Sequence, residues 1–113
     1  MKSLDDCLAS EKLFNELMVI AKEQWCTENL NFLQEVKNYE KASQNEMKKF
    51  AEKIFNTFIS STSEQEINIS QQLKNQIQTK LNENDINKDL FEDARIAVYR
   101  LVEGGVYEVW LKK

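Results

Sequence analysis

The sequence predicts an all-α fold, an antiparallel four-helix bundle plus a subdomain of short N- and C-terminal helices. Proline is absent and glycine occurs only at Gly104 and Gly105, so the turn residues that a sheet-rich fold needs are missing. Leu, Lys, Glu, Gln and Ala, all strong helix formers, are abundant. Apolar residues recur three and four positions apart in several stretches, as they do along one face of an α-helix. At 113 residues, 42% of them hydrophobic, the chain is one domain that can fill a core despite 30% charged residues.

Leu4 and Leu8 sit four apart, and Ser3 is placed to cap the short helix they define. Ser10 precedes a second helix, whose apolar face is Leu13, Phe14, Leu17, Ile20 and Ala21. The run Trp25-Cys26-Thr27-Glu28-Asn29 breaks this pattern. Thr27 is the expected N-cap of the next helix, with Glu28 placing negative charge at its positive end. That helix carries Leu30, Phe32, Leu33, Val36 and Tyr39 and runs to about Ala42. Ser43 opens another, with Glu46 positioned for a capping box. Its stripe of Met47, Phe50, Ala51, Ile54, Phe55, Phe58 and Ile59 is the strongest in the chain.

A polar loop, 60–66, leads into Ile67-Asn68-Ile69. Ser70 is the expected cap of a helix through Leu73, Ile77 and Leu81. The Asn-rich segment 82–87 suits a mobile connection. The last long helix is expected over 88–103, carrying Leu90, Phe91, Ala94, Ala97, Val98 and Leu101. Gly104 or Gly105 stops it, and Tyr107, Trp110 and Leu111 mark a final short helix. The expected organisation is a single domain, 1–113. Its bundle spans 27–103, and the two ends, 1–26 and 104–113, pack together.

Several functions are disfavoured. The formal charge is −4, and only two of the fifteen basic residues are Arg, against a nucleic-acid interface. Lys48, Lys49 and Lys53 read as a solvated helix face. Two cysteines are too few for a disulfide scaffold or a zinc site, and they suit a reducing compartment. No apolar run approaches a membrane span, and the polar, acidic start of the chain is unlike a secretory signal. Without His there is no Ser-His or Cys-His pair, and no Gly-rich phosphate loop or metal-ligand cluster occurs. The acidic pairs Asp5-Asp6 and Glu92-Asp93 are adjacent residues, which point to different sides of a helix. The expectation is a cytoplasmic binding domain with no catalytic residue, metal or cofactor.

The order of motifs goes further. Glu28-Asn29-Leu30-Asn31-Phe32-Leu33 and the following Tyr39-Glu40-Lys41 resemble a segment of the regulator of G-protein signalling (RGS) domains. So do Ala51 to Ile59, Glu66-Ile67-Asn68-Ile69, Leu90 to Arg95, Tyr99 to Glu103, and Tyr107 to Leu111. The N-terminal Leu13 to Met18 also fits, so the resemblance covers nearly the whole chain. It implies a helical bundle with a second subdomain made from the chain ends. It further implies a partner, the alpha subunit of a heterotrimeric G protein, bound through its switch regions in a transition-state-like form. The implied contacts are Trp25, Cys26, Glu28, Asn29, Glu66, Asn68, Leu101, Gly105 and Val109. The domain would act as a GTPase activator without supplying an arginine, because the alpha subunit carries its own catalytic Arg and Gln. Asn68 would reach toward that Gln. Membrane association would be indirect, by recruitment to the inner face of the plasma membrane through the partner or flanking regions.

Some positions depart from the family pattern. Many active members carry an acidic residue and, four positions later, an Arg where this chain has Gly105 and Val109. Cys26 replaces a usual Ser, and Ser70 stands where an acid is frequent. The family's last helix is expected to be short or absent here. The residues also have plainer readings. Asn68 can shape a turn through its own backbone, Glu28 can serve the helix dipole, Leu101 can be core, and Trp25 can cover the gap between subdomains. The alternative function is an RGS-homology scaffold or protein–protein adaptor without GTPase-activating activity.

Overall fold

A computed structural model describes residues Ser3–Lys113. Met1 and Lys2, counted above with the terminal subdomain, lie outside the described residues. Among the described residues the fold is all-helical, with no strand.

Helices α1 (Leu4–Ala9) and α2 (Glu11–Glu23) are joined by one residue. Ser3 forms a full capping box on α1: its Oγ accepts the Asp6 N–H, and the Asp6 carboxylate accepts the Ser3 N–H, both at 3.2 Å. Ser10 closes α1 by donating its N–H to the Asp6 and Cys7 carbonyls. The same residue opens α2, its Oγ accepting the Leu13 N–H at 3.3 Å. Phe14, Leu17, Ile20 and Ala21 of the expected α2 face are buried and Leu13 is half-buried at its edge, while Leu4 and Cys7 of α1 are buried beside them.

Helix α3 (Thr27–Glu40) starts differently from the expectation. Cys26, not Thr27, stands at its N-cap, and no side chain caps the helix. The cause lies in the end of α2, where the Cys26 N–H bonds back to the Ala21 carbonyl at 3.0 Å. Only Gln24, Trp25 and Cys26 remain between the helices, and Thr27 already belongs to the first turn. Leu30, Phe32, Leu33, Val36 and Tyr39 are all buried. Phe32 meets Phe58 and Phe91 edge-on, with ring centroids at 5.6 and 6.3 Å. Tyr39 meets Phe91 at 5.1 Å and Phe50 at 6.1 Å in the same manner. Each such pair adds about 0.5–1.5 kcal/mol beyond area burial.

Helix α4 (Gln44–Ile54) has Ser43 at its N-cap position, but the expected capping box does not form. The Ser43 side chain accepts no bond there, and the Glu46 N–H donates instead to the Ser43 carbonyl at 3.0 Å. Lys48, Lys49 and Lys53 are exposed. The strong apolar stripe runs on, as expected, but its last turn (Phe55–Ile59) is π-helical. Ser60 closes that turn with a bond from its N–H to the Phe55 carbonyl at 2.9 Å.

Helix α5 (Gln71–Asn82) is capped as expected, the Ser70 Oγ accepting the Leu73 N–H at 3.2 Å. Helix α6 (Glu92–Glu103) begins four residues later than the periodicity suggested. Its predicted first turn is spent on anchoring: Asn87 Oδ1 accepts the Asp89 N–H at 2.9 Å, and the Tyr39 hydroxyl donates to the Asn87 carbonyl at 2.5 Å. Leu90 and Phe91 still enter the core. Gly104 ends α6, and α7 (Val106–Leu111) starts directly after Gly105. Helix α6 packs on α3 and α7, while α2 packs on α1, α7 and α3. Trp110 Nε1–H donates to the Glu16 carboxylate at 3.1 Å, tying the two ends of the chain together.

Candidate protein-interaction site

Trp25 and Cys26 occupy the joint between α2 and α3. Two backbone bonds close α2: Trp25 N–H to the Lys22 carbonyl at 3.4 Å, and Cys26 N–H to the Ala21 carbonyl. This pattern calls for a left-handed residue just past the helix end, a place usually held by glycine. Trp25 fills it, at φ 59°, and its side chain is left 91% exposed. Cys26 is half-buried, with Sγ 3.9 Å from the Gln24 amide oxygen. Burial, and then the nearby Glu28 carboxylate, push its thiol above the ordinary range. The site therefore disfavours a reactive thiolate. Glu28 is partly exposed in the first turn of α3, whereas Asn29 is only 9% exposed. The Asn29 Oδ1 is buried with no hydrogen-bond partner, a defect that typically costs about 1–3 kcal/mol.

Asn68 lies in the loop that leads into α5. Its neighbour Ile67 is buried, and the Ile67 N–H donates to the Phe58 carbonyl at 2.9 Å. The Ile69 N–H donates to the Ile67 carbonyl at 3.2 Å, closing a three-residue turn around Asn68. Asn68 sits exposed at the apex. The turn is closed by a backbone bond, as the plainer reading of Asn68 has a turn here. Glu66 is different, because its carboxylate is ion-paired with Lys74 of α5 and so is engaged within the chain. The sequence contained both residues but nothing that marked them as partners.

The third segment is the α6–α7 joint. Leu101 is 43% exposed near the end of α6, on the rim and not in the core. Gly105 is packed closely: a Cβ there would meet the Leu101 carbonyl oxygen at 3.1 Å and the Gln24 Oε1 at 3.6 Å. Val109 is half-buried in α7, its N–H donating to the Gly105 carbonyl at 3.1 Å. The Gln24–Gly105 approach sets this joint beside the α2–α3 joint. Asn31 Nδ2 donates to the Gln65 Oε1 at 3.2 Å, which sets the Asn68 loop beside the start of α3. Three segments far apart in sequence therefore flank one helix start. A separate open cleft of about 860 Å³, with Lys37, Lys41, Lys88 and Arg95 among its walls, includes none of the candidate residues.

Among the described residues no group of His, Cys, Asp or Glu side chains could hold a metal ion. No described helix is long and apolar enough to cross a membrane.

One similar solved structure is the PDZRhoGEF rgRGS domain in a complex with Galpha-13 bound to GTP-gamma-S. It superposes with a TM-score of 0.87 at 15% sequence identity, over 97% of this chain. At that identity the likeness is one of fold, and this chain spans 57% of the length of that one. No curated protein matches the sequence. The family model for the regulator of G protein signaling domain matches residues 3–113. With the fold and the family pattern agreeing along the whole described length, this chain belongs to the RGS domain family.

Proposed function

We propose that this domain binds the switch regions of a heterotrimeric G-protein alpha subunit in a transition-state-like form and accelerates its GTP hydrolysis. The observation that carries the reading is Asn68, exposed at the apex of a turn whose flanking residue is locked into the core. An amide on such a turn can hold a partner's glutamine without first being ordered. A domain that binds the hydrolysis transition state better than the ground state lowers the barrier while contributing no arginine or base of its own. The neighbour solved with Galpha-13 supports this choice of partner class. Trp25, Leu101 and Val109 supply apolar surface around the polar centre, Glu28 supplies a partly exposed carboxylate, and recruitment to the membrane follows the partner.

A second reading is favoured by one observation. Gly105 and Val109 put neither a carboxylate nor a guanidinium at the α6–α7 joint, so the domain could dock without speeding hydrolysis.

Binding to alpha subunits loaded with GDP, or with GDP and aluminium fluoride, alongside single-turnover hydrolysis, separates these readings. Fluoride-dependent binding with faster hydrolysis establishes the activator. Binding without acceleration establishes the scaffold. Asn68→Ala is expected to weaken the fluoride form most, by about tenfold or more. Equal loss for both nucleotide forms would rule out the role given to Asn68.

A further inference from the structure

The segment between the π-turn and α5 is held at several points along its length. Ser63 Oγ donates to the Thr57 carbonyl, and the Ile67 N–H to the Phe58 carbonyl. Both acceptors lie in the π-turn, at a helix end where carbonyls lack helical donors. Gln65 is tied to Asn31 of α3. The remaining anchor is the Glu66 carboxylate on the Lys74 ammonium, and the Lys74 side chain is only 14% exposed. An ion pair this sheltered is screened less than a surface one. It reaches the middle of the arm from α5, whose first turn also holds Ser70 at the arm's end.

We infer that Lys74 is a positioning residue: through Glu66 it holds the 60–70 arm so that Asn68 meets the partner already ordered. The inference rests on the proposed role of Asn68 as the contact. It differs from the contact role expected of Glu66, because it makes Glu66 a brace within the domain. Preformed contacts bind more tightly because little ordering remains to be done on association.

The test uses the full chain with Lys74→Met, Lys74→Arg, Glu66→Gln and the exchanged pair Glu66→Lys with Lys74→Glu. Amide hydrogen exchange at Ile67 and Ile69 is followed in the free domain, and affinity is measured for an alpha subunit with GDP and aluminium fluoride. Thermal unfolding verifies that each variant is folded. Lys74→Met should speed exchange at both amides and weaken binding by about tenfold. Lys74→Arg should stay near wild type, and the exchanged pair should recover most of the loss. In an Asn68→Ala background Lys74→Met should cost nothing further. Unchanged exchange overturns the inference, as does a full Lys74→Met loss in that background. It is also overturned if Glu66→Gln is much costlier than Lys74→Met and the exchanged pair gives no recovery, because Glu66 then touches the partner itself. If the wild type binds no alpha subunit, the Asn68 reading fails, and the exchange data alone decide whether Lys74 braces the arm.

Discussion

Trp25 and Asn84 occupy equivalent positions, each just past a helix end and each left-handed, at φ 59° and 58°. Asn accepts that conformation readily, whereas a bulky side chain there costs roughly 1–2 kcal/mol. Asn84 is therefore an inexpensive stop for α5, and Trp25 a costly one for α2. Backbone strain of this kind gathers at functional surfaces, and the exposed indole gains nothing from its own fold. Trp25→Gly is expected to raise folding stability by about 1 kcal/mol, measured by urea unfolding, while weakening alpha-subunit binding. A variant that is more stable and binds equally well would remove Trp25 from the interface. The sequence showed a break at this residue but not its conformation, since an aromatic carries no signal for a left-handed turn.

Periodicity disclosed the buried faces of the elements well and their ends less well. In α3 the apolar positions anticipated from spacing are the ones in the core. At 88–91 the same logic misled, because Leu90 and Phe91 reach the core from turns instead of from a helix. The π-turn was invisible for a related reason: Phe55, Phe58 and Ile59 fit an α-helical stripe equally well. What holds the start of α6 is the Tyr39 hydroxyl on the Asn87 carbonyl. Burial pushes this phenol up to about 12 from an ordinary 10. Tyr39 is uncharged when protonated, so a raised value means that the folded state keeps its proton longer than the unfolded state. Its contribution is complete below pH 10 and is lost as pH climbs toward 12. Tyr39→Phe should cost about 1 kcal/mol at neutral pH by removing this bond, the Asn87 carbonyl keeping only the Leu90 N–H at 3.2 Å, and should flatten the alkaline fall in urea stability. An equally steep fall in the variant would assign that titration to another group.

At the scale of the whole molecule, the candidate surface is made of joints: α2 to α3, the arm before α5, and α6 to α7. Motif order assigned these residues to one surface as an expectation, but no spacing rule shows that Gln24 approaches Gly105 or that Asn31 holds Gln65. Such contacts depend on packing between distant parts of the chain. The two family departures can be tested together. Gly105→Asp with Val109→Arg should improve binding to alpha subunits recognised by ordinary members by about tenfold, as read in the fluoride-dependent assay. The substitution should also cost roughly 1 kcal/mol of stability, since a Cβ at Gly105 crowds the Leu101 carbonyl. Improved binding would identify the missing charge pair as what limits affinity. No improvement would place the partner preference elsewhere on the surface.

The uneven surroundings of the two tryptophans have an optical consequence. Trp110 is stacked on Tyr107, with ring centroids 6.0 Å apart, and hydrogen-bonded to Glu16, so its emission reports on the closure of the chain ends. Trp25 stands in water and should emit at the long-wavelength limit for an indole. A partner that covers it should shift that emission to the blue, while one that docks elsewhere should leave it unchanged. The unlabelled domain thus carries its own fluorophore for titrating alpha subunits, and a Trp110→Phe variant would isolate the signal.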